Sequence, residues 1–185
     1  DLMATYNMVS NFVEMRERPE SSEAFEALLK KRHALLLAAR KEKRPGEFKE
    51  IVTPQANDSR DLSPELIRGT LAKGFELYRL LSEPFARAVF ILFVVSEVPP
   101  FLDGNRRLAR IMMNAELVSA EQCRIIVPTV LSDYYLLTLR QLSQTGEAKP
   151  YVNMLDSAQA FVSKIDFSHY ETAVKMLYAC NAFAK

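Results

Sequence analysis

Glycine is scarce in this chain, with five residues among 185. A strand-rich domain normally needs more glycines for its turns, so the scarcity argues for helices. Cysteine is as thin. Cys123 and Cys180 stand far apart and near no group of histidines, which suits neither a disulfide framework nor a zinc site. They read as two reduced core thiols. Charge of one sign is also missing. The formal net charge is +1, which gives no electrostatic case for nucleic acid or an anionic membrane as partner. The most apolar stretch, FARAVFILFVV at 85–95, is too short to cross a bilayer and reads as a buried helix. No signal-peptide pattern is visible, and the expected compartment is the cytoplasm. The first residue is Asp1 and not an initiator Met, so a trimmed chain, or one cut from a longer protein, is expected.

What is present is a core. Hydrophobic residues make up 49% and charged residues 25%, the balance of a folded domain and not of a disordered chain. The length suits one domain with an addition, read as an N-terminal helical extension over 1–24 and a main domain over 25–185. The basic run KKRHALLLAARKEKR (30–44) is broken by ALLLAA and reads as a solvated helix end. Helical spacing recurs. Leu2, Tyr6, Val9 and Val13 share a face, as do Phe25, Leu28, Leu29 and Leu36, and again Ile67, Leu71, Gly74, Tyr78 and Leu81. Start signals agree with these spans. Ser63-Pro64-Glu65 supplies an N-cap, a first-turn proline and an acid at the positive end of the dipole. Ser82 with Pro84 and, later, Pro150 can open further helices, the last with Met154, Ala158, Phe161 and Ile165 inward. Ser168 and Glu171 have the spacing of a capping box.

One segment does not read as helix. RPGEFKEIVTPQANDSRDLSP (44–64) carries three prolines, a Pro-Gly turn and the β-favouring run FKEIV, and is expected to form a short hairpin or flap. The fold expectation is therefore all-α, a bundle of about eight helices with a short β-hairpin flap.

The chemistry gathers at VPPFLDGNRRLAR, residues 98–110. Asp103-Gly104-Asn105 forms a turn between two helices. The second helix then presents free backbone N–H groups, the arrangement that binds anions. Gly104 lets a phosphate approach the backbone. Arg107 and Arg110 are three apart and share a helix face, which suits a polyphosphate. Asp103 can hold Mg²⁺ together with substrate phosphates. The same residues also compose an ordinary turn, with Asp103 as N-cap and the arginines in solvent.

The stretch resembles the signature loop of the Fic family, H-x-F-x-[D/E]-G-N-[G/K]-R-x-x-R. Phe101, Asp103, Gly104, Asn105, Arg107 and Arg110 match it. Pro99 falls on the family's His, and Arg106 on its Gly or Lys. RPGEFKEIVT (44–53), EPFARAVFILFVVSEV, and SDYYLLTLRQLSQTGEAKPYVNML with its paired tyrosines extend the likeness over residues 25 to 165. The resemblance implies a Fic-type helical bundle and protein adenylyl transfer from ATP with Mg²⁺. By position, Asp103 would be the metal ligand, and Gly104, Asn105, Arg106, Arg107 and Arg110 would lie at the nucleotide. Phe101 would anchor the loop in the core. Ile51, Val52, Thr53 and Pro54 would belong to a flap that pairs with the target segment.

The family's loop His is the general base, and Pro99 has no titratable side chain. Loss of a positioned base typically costs about 10²–10⁴-fold in rate. Of the two histidines, His33 resembles a structural helix His and His169 reads as solvated; Glu97 is a stand-in base to weigh. Arg106 parallels the Lys of the Doc branch, which transfers phosphate. The string SEAFEA, with Ser22 and Glu26, approaches the family's inhibitory helix but has Ala27 in place of Gly or Asn, and reads as an ordinary helix start. The expectation is a Fic-family domain that binds ATP or a related nucleotide, with transfer weak or lost. The alternatives are an active transferase with unusual chemistry and a non-catalytic protein-interaction module. Expected partners are a nucleotide, a protein target with a modifiable hydroxyl, and a second copy in a homodimer; neither nucleic acid nor membrane is expected.

Overall fold

A computed structural model of the chain describes residues 2–50 and 62–184. Among them are nine α-helices: α1 (Leu2–Ser10), α2 (Phe12–Arg16), α3 (Ser22–Leu36), α4 (Pro64–Tyr78), α5 (Pro84–Glu97), α6 (Asn105–Ser119), α7 (Ser132–Thr145), α8 (Lys149–Val162) and α9 (Tyr170–Ala179). The chain forms two compact units, Asp1–Glu121 and Gln122–Lys185. No described helix is long and apolar enough to cross a membrane.

Local chemistry sets the helix ends in the first unit. Ser63 is extended (φ −60, ψ 143) and Pro64 opens α4, though the Ser63 side chain makes no cap hydrogen bond. Pro84 opens α5 in the same way behind Glu83. Val98 is forced out of helical geometry (φ −116, ψ 71) by Pro99, which ends α5. Ser21 caps α3, its hydroxyl accepting the Ala24 N–H at 3.1 Å. The expected inner faces of α3 and α4 are buried, and Leu81 lies beyond the end of α4, half-buried. α5 carries Ala88, Val89, Ile91, Leu92, Val94 and Val95 into the core. α6 faces it with Leu108, Ile111, Met112, Met113, Ala115 and Leu117.

Two buried polar nodes fix where α6 stands. Arg32 of α3 is fully buried. Its Nη2 donates to the carbonyls of Glu14 (2.6 Å) and Glu17 (3.1 Å), Nε reaches Glu14 Oε1 at 3.5 Å, and Nη1 reaches the Met112 sulfur at 3.1 Å. Glu116 of α6 accepts from the Tyr78 hydroxyl at 2.7 Å and from Arg87 Nε at 3.2 Å, with Arg18 at 3.5 Å. Buried charges persist only when paired in this way.

Several sequence expectations fail for identifiable reasons. The N-terminal run is two helices, because Asn11 interrupts it: its Oδ1 caps the Glu14 N–H and starts α2. Met8 and Met15 turn inward, while Leu2 and Val13 are 86% and 82% exposed. The capping box at α9 does not form. Ser168 Oγ donates to Asp166 Oδ1 instead (2.6 Å), and His169 takes the N-cap position with no side-chain cap. Both cysteines are exposed and free, not core thiols. The hairpin over 44–64 has no support: no strand occurs among the described residues. A 3₁₀ turn at Lys41–Lys43 and left-handed Arg44 and Gly46 bend the chain, and the next residues turn toward the Pro99-Pro100 stretch. Residues 51–61, which include Ile51, Val52, Thr53 and Pro54, lie outside the described residues.

In the second unit, α7 ends at Gly146, left-handed at φ 75, whose N–H returns to Leu142 O. Tyr135 and Tyr151 meet in its core, ring centroids 6.1 Å apart. An apolar cavity of about 170 Å³ is lined by Ile126, Phe161, Ile165, Phe167, Leu177 and Phe183 among others.

Candidate functional site

The loop between α5 and α6 is built around Phe101, which is 1% exposed. The His33 ring stacks on it at 3.7 Å between centroids, nearly parallel, and Phe48 meets it edge-on at 5.1 Å. Asn105 closes the loop. Its Oδ1 accepts the Phe101 N–H (2.9 Å) and its Nδ2 donates to the Phe101 carbonyl (2.7 Å). One amide side chain thus satisfies both backbone groups of a buried residue. The geometry places Asn105 in the loop's own framework, with its amide turned to Phe101.

His33 joins three segments. Its Nδ1 accepts the Gly46 N–H at 2.9 Å, and its Nε2 lies 3.0 Å from the Asp103 carbonyl. A carbonyl can only accept, so Nε2 carries the proton and Nδ1 does not. The ring is neutral in one defined tautomer. Burial pushes its pKa below the ordinary 6.5, against the pull of the Asp103 carbonyl. Beside it, the Lys49 N–H donates to the Pro100 carbonyl at 2.8 Å, which fastens the segment after Gly46 to the loop. The structural role expected for His33 follows from these contacts.

Gly104 has φ 77 and ψ −2, a left-handed conformation that costs other residues about 1–2 kcal/mol. A Cβ there would lie 3.2 Å from Leu37 Cδ1 and 3.6 Å from His33 Nε2. The left-handed backbone favours glycine there, and a Cβ would also press against Leu37. Gly104 is the N-cap of α6, so the first N–H groups of that helix follow it directly. Arg106 and Arg110 are exposed and Arg107 is half-buried. Pro99 and Glu97 are half-buried at the loop entrance.

Asp103 is held at every acceptor. Its carbonyl takes His33, Oδ1 takes the Gly104 N–H at 2.6 Å, and Oδ2 takes Arg40 Nη1 at 3.0 Å. Sequence reasoning did not select Arg40; it lies far from the loop in the chain, and no local pattern marks it. His33 was more legible, since 25, 29, 33 and 36 lie on one face of α3. A divalent cation was the expectation for Asp103, and the donor set bears on it. The carboxylate already carries a guanidinium, whose charge would repel a dication bound to the same oxygens. Among the described residues no group of three or more His, Cys, Asp or Glu side chains is assembled for a metal. A divalent ion at Asp103 would share its carboxylate with the Arg40 guanidinium.

An all-helical frame that closes a Phe-x-Asp-Gly-Asn loop onto the start of a helix, with Arg107 and Arg110 in its first turns, defines a class of protein. The model of the Fic/DOC family matches residues 24–117, just over half of the chain, and the chain belongs to that family. Members of the family generally transfer nucleotidyl groups, AMP above all, to proteins, and typically use ATP and Mg²⁺. A Fido domain-containing protein of Dictyostelium discoideum is 33% identical over 84 residues, covering 43% of this chain and 59% of its own length. Among solved structures, a Fic domain-containing signaling protein from Bacteroides thetaiotaomicron superposes with a TM-score of 0.67 at 19% identity, over 98% of this chain and 71% of its own. Fic-1 (residues 134–508) of C. elegans gives 0.64 at 16%, over 97% and 49%. A Fic family protein of Desulfovibrio desulfuricans gives 0.60 at 17%, over 100% and 55%. These likenesses show an all-α Fic-like fold. The chain spans about half to two thirds of the length of most of these relatives.

Proposed function

We propose that this domain binds ATP or a related nucleotide through the loop and the first turns of α6, and that protein adenylyl transfer is weak or lost. The loop is degenerate in this reading: Pro99 stands at the base position and Arg106 at the small-residue position. The observation that carries the proposal is the closure of the loop by groups that do not depend on a base. Asn105, His33 and Phe101 hold Asp103 and Gly104 in place, and none of these contacts calls for a histidine at position 99. The phosphates would meet the N–H groups that follow Gly104, with Arg106, Arg107 and Arg110 supplying charge. Phe101 serves as the anchor. A protein with a modifiable hydroxyl would be the target where transfer persists, docking along Ile51, Val52, Thr53 and Pro54. Calorimetric titration of ATP into the whole chain tests the reading. Binding is expected, with a loss of about tenfold or more in Arg107→Ala and in Arg110→Ala. Binding untouched by both changes refutes it.

Arg106 favours a second reading, an active transferase with unusual chemistry. A cation there is compatible with another nucleotide pose, and Glu97 is the nearest carboxylate in sequence to the missing base. Incubation with labelled ATP, GTP, UTP or CDP-choline and cell lysate would then label a protein band. A blank across all four discards it. A third reading, an interaction module or homodimer without nucleotide affinity, follows if the titration is silent.

A further inference from the structure

We propose that the apolar cavity of the second unit is a binding site for a small uncharged molecule, the size of one aromatic ring. The cavity measures about 170 Å³ and is lined wholly by residues of Gln122–Lys185, so the inference is independent of the nucleotide-binding reading. Three pieces of chain build its walls. Ile126 leads the segment before α7, Phe161 and Ile165 stand at the end of α8 and just beyond it, and Leu177 and Phe183 come from α9 and the tail. No residue that lines it is charged, and Thr129 is the one with a polar side chain.

The walls are tied to one another. The Thr129 N–H donates to the Ala182 carbonyl at 2.8 Å, which fastens the tail to the segment before α7. The Ala182 N–H returns to the Leu177 carbonyl and the Ile165 N–H to that of Val162, both at 3.0 Å. Asn181 is left-handed at φ 52 and turns the chain, and Phe183 meets Tyr178 edge-on at 5.2 Å. These N–H groups are directed at neighbouring carbonyls and not at an occupant. Val162, Ile165 and Ala182 are buried, whereas Ile126, Phe167 and Phe183 are 51%, 51% and 52% exposed and mark the side open to solvent. Charge decides the class of occupant, because an ion would give up its hydration to walls that offer nothing in return. Volume decides its size: an apolar cavity of about 150 Å³ lined by Leu, Ile and Phe stays dry and takes benzene. A molecule of that kind would also cover the three exposed apolar side chains at the opening.

The test is a titration of benzene into the full chain, followed in the ¹H–¹³C methyl spectrum, with benzoate as the charged counterpart of the same ring. Saturable shifts are expected at the methyls of Ile126, Ile165 and Leu177, with a Kd of about 1 mM or tighter, and benzoate is expected to leave them still. Ala182→Leu, which fills the cavity from its buried side, is expected to abolish the response. Phe167→Asp changes an exposed position and puts a charge at the opening; it should weaken benzene binding about tenfold, and it keeps the test decisive if Ala182→Leu does not fold. Shifts that fail to saturate or fall elsewhere, an equal response to benzoate, or benzene binding untouched in folded Ala182→Leu or in Phe167→Asp overturns the proposal. So does movement of the same methyls on dilution of the chain without benzene, which assigns the cavity to a side chain of a second copy. The nucleotide reading stands or falls separately, on the ATP titration of Arg107→Ala and Arg110→Ala.

Discussion

Arg32 and Arg40 leave the same stretch of chain, one from the inner side of α3 and one just past its end, and their surroundings are opposite. Arg32 is wholly buried and tied to the carbonyls of Glu14 and Glu17, the Glu14 carboxylate and Met112. Arg40 is half-buried and meets the carboxylate of Asp103. A guanidinium sealed against backbone carbonyls is part of the frame, and its removal takes two donors away from the Glu14 and Glu17 carbonyls. A guanidinium paired near the surface contributes little to stability. The chemistry of the two residues is identical; the difference lies in what has been desolvated.

Substitutions that attack each side of this contrast should separate stability from binding. The largest effect is expected from Arg32→Met. Breaking a buried pair by removing one partner costs about 3–5 kcal/mol, read as a lower denaturant midpoint, while the folded fraction keeps its ATP affinity. Asn105→Ala follows, since it leaves the buried Phe101 N–H and carbonyl unsatisfied. A loss of about 1–3 kcal/mol is expected in the same unfolding measurement, together with weaker ATP binding. Gly104→Ala should cost about 1–2 kcal/mol for its left-handed backbone, with added crowding against Leu37 visible as a further drop in Tm. Arg40→Gln is the smallest: under about 1 kcal/mol in stability, because the ion pair is solvated.

Acidification probes the loop by another route. His33 titrates lower in the folded chain than in the unfolded one, because burial outweighs the pull of the Asp103 carbonyl and charge. Its contribution is fully present above the unfolded value near 6.5 and is lost as pH falls from there toward the folded-state value, since the unfolded chain takes up the proton first. The unfolding midpoint should therefore decline with pH in that window, and His33→Gln should flatten the decline.

What the sequence made legible was local. Periodicity placed the inner faces of α3 and α4, and the prolines marked where α4 and α5 begin and where α5 stops. It misread α1 because spacing alone does not say which face is buried, and there Met8 and Met15 turned in while Leu2 and Val13 stayed out. Ser168 had capping-box spacing, yet Asp166 two residues earlier was a closer acceptor for its hydroxyl. The residues of the loop were visible as a motif, but their framework was not. The Arg40–Asp103 pair and the His33–Asp103 contact span 63 and 70 positions, and only the folded chain brings them together.

The central claim is that the backbone after Gly104 receives the nucleotide phosphates. The most direct measurement is the ¹H–¹⁵N spectrum of the chain titrated with ATP. The account predicts shifts concentrated at the amides of Gly104, Asn105, Arg106 and Arg107, saturating together. A spectrum in which those amides stay still while ATP is added, or in which the shifts fall elsewhere on the chain, contradicts it.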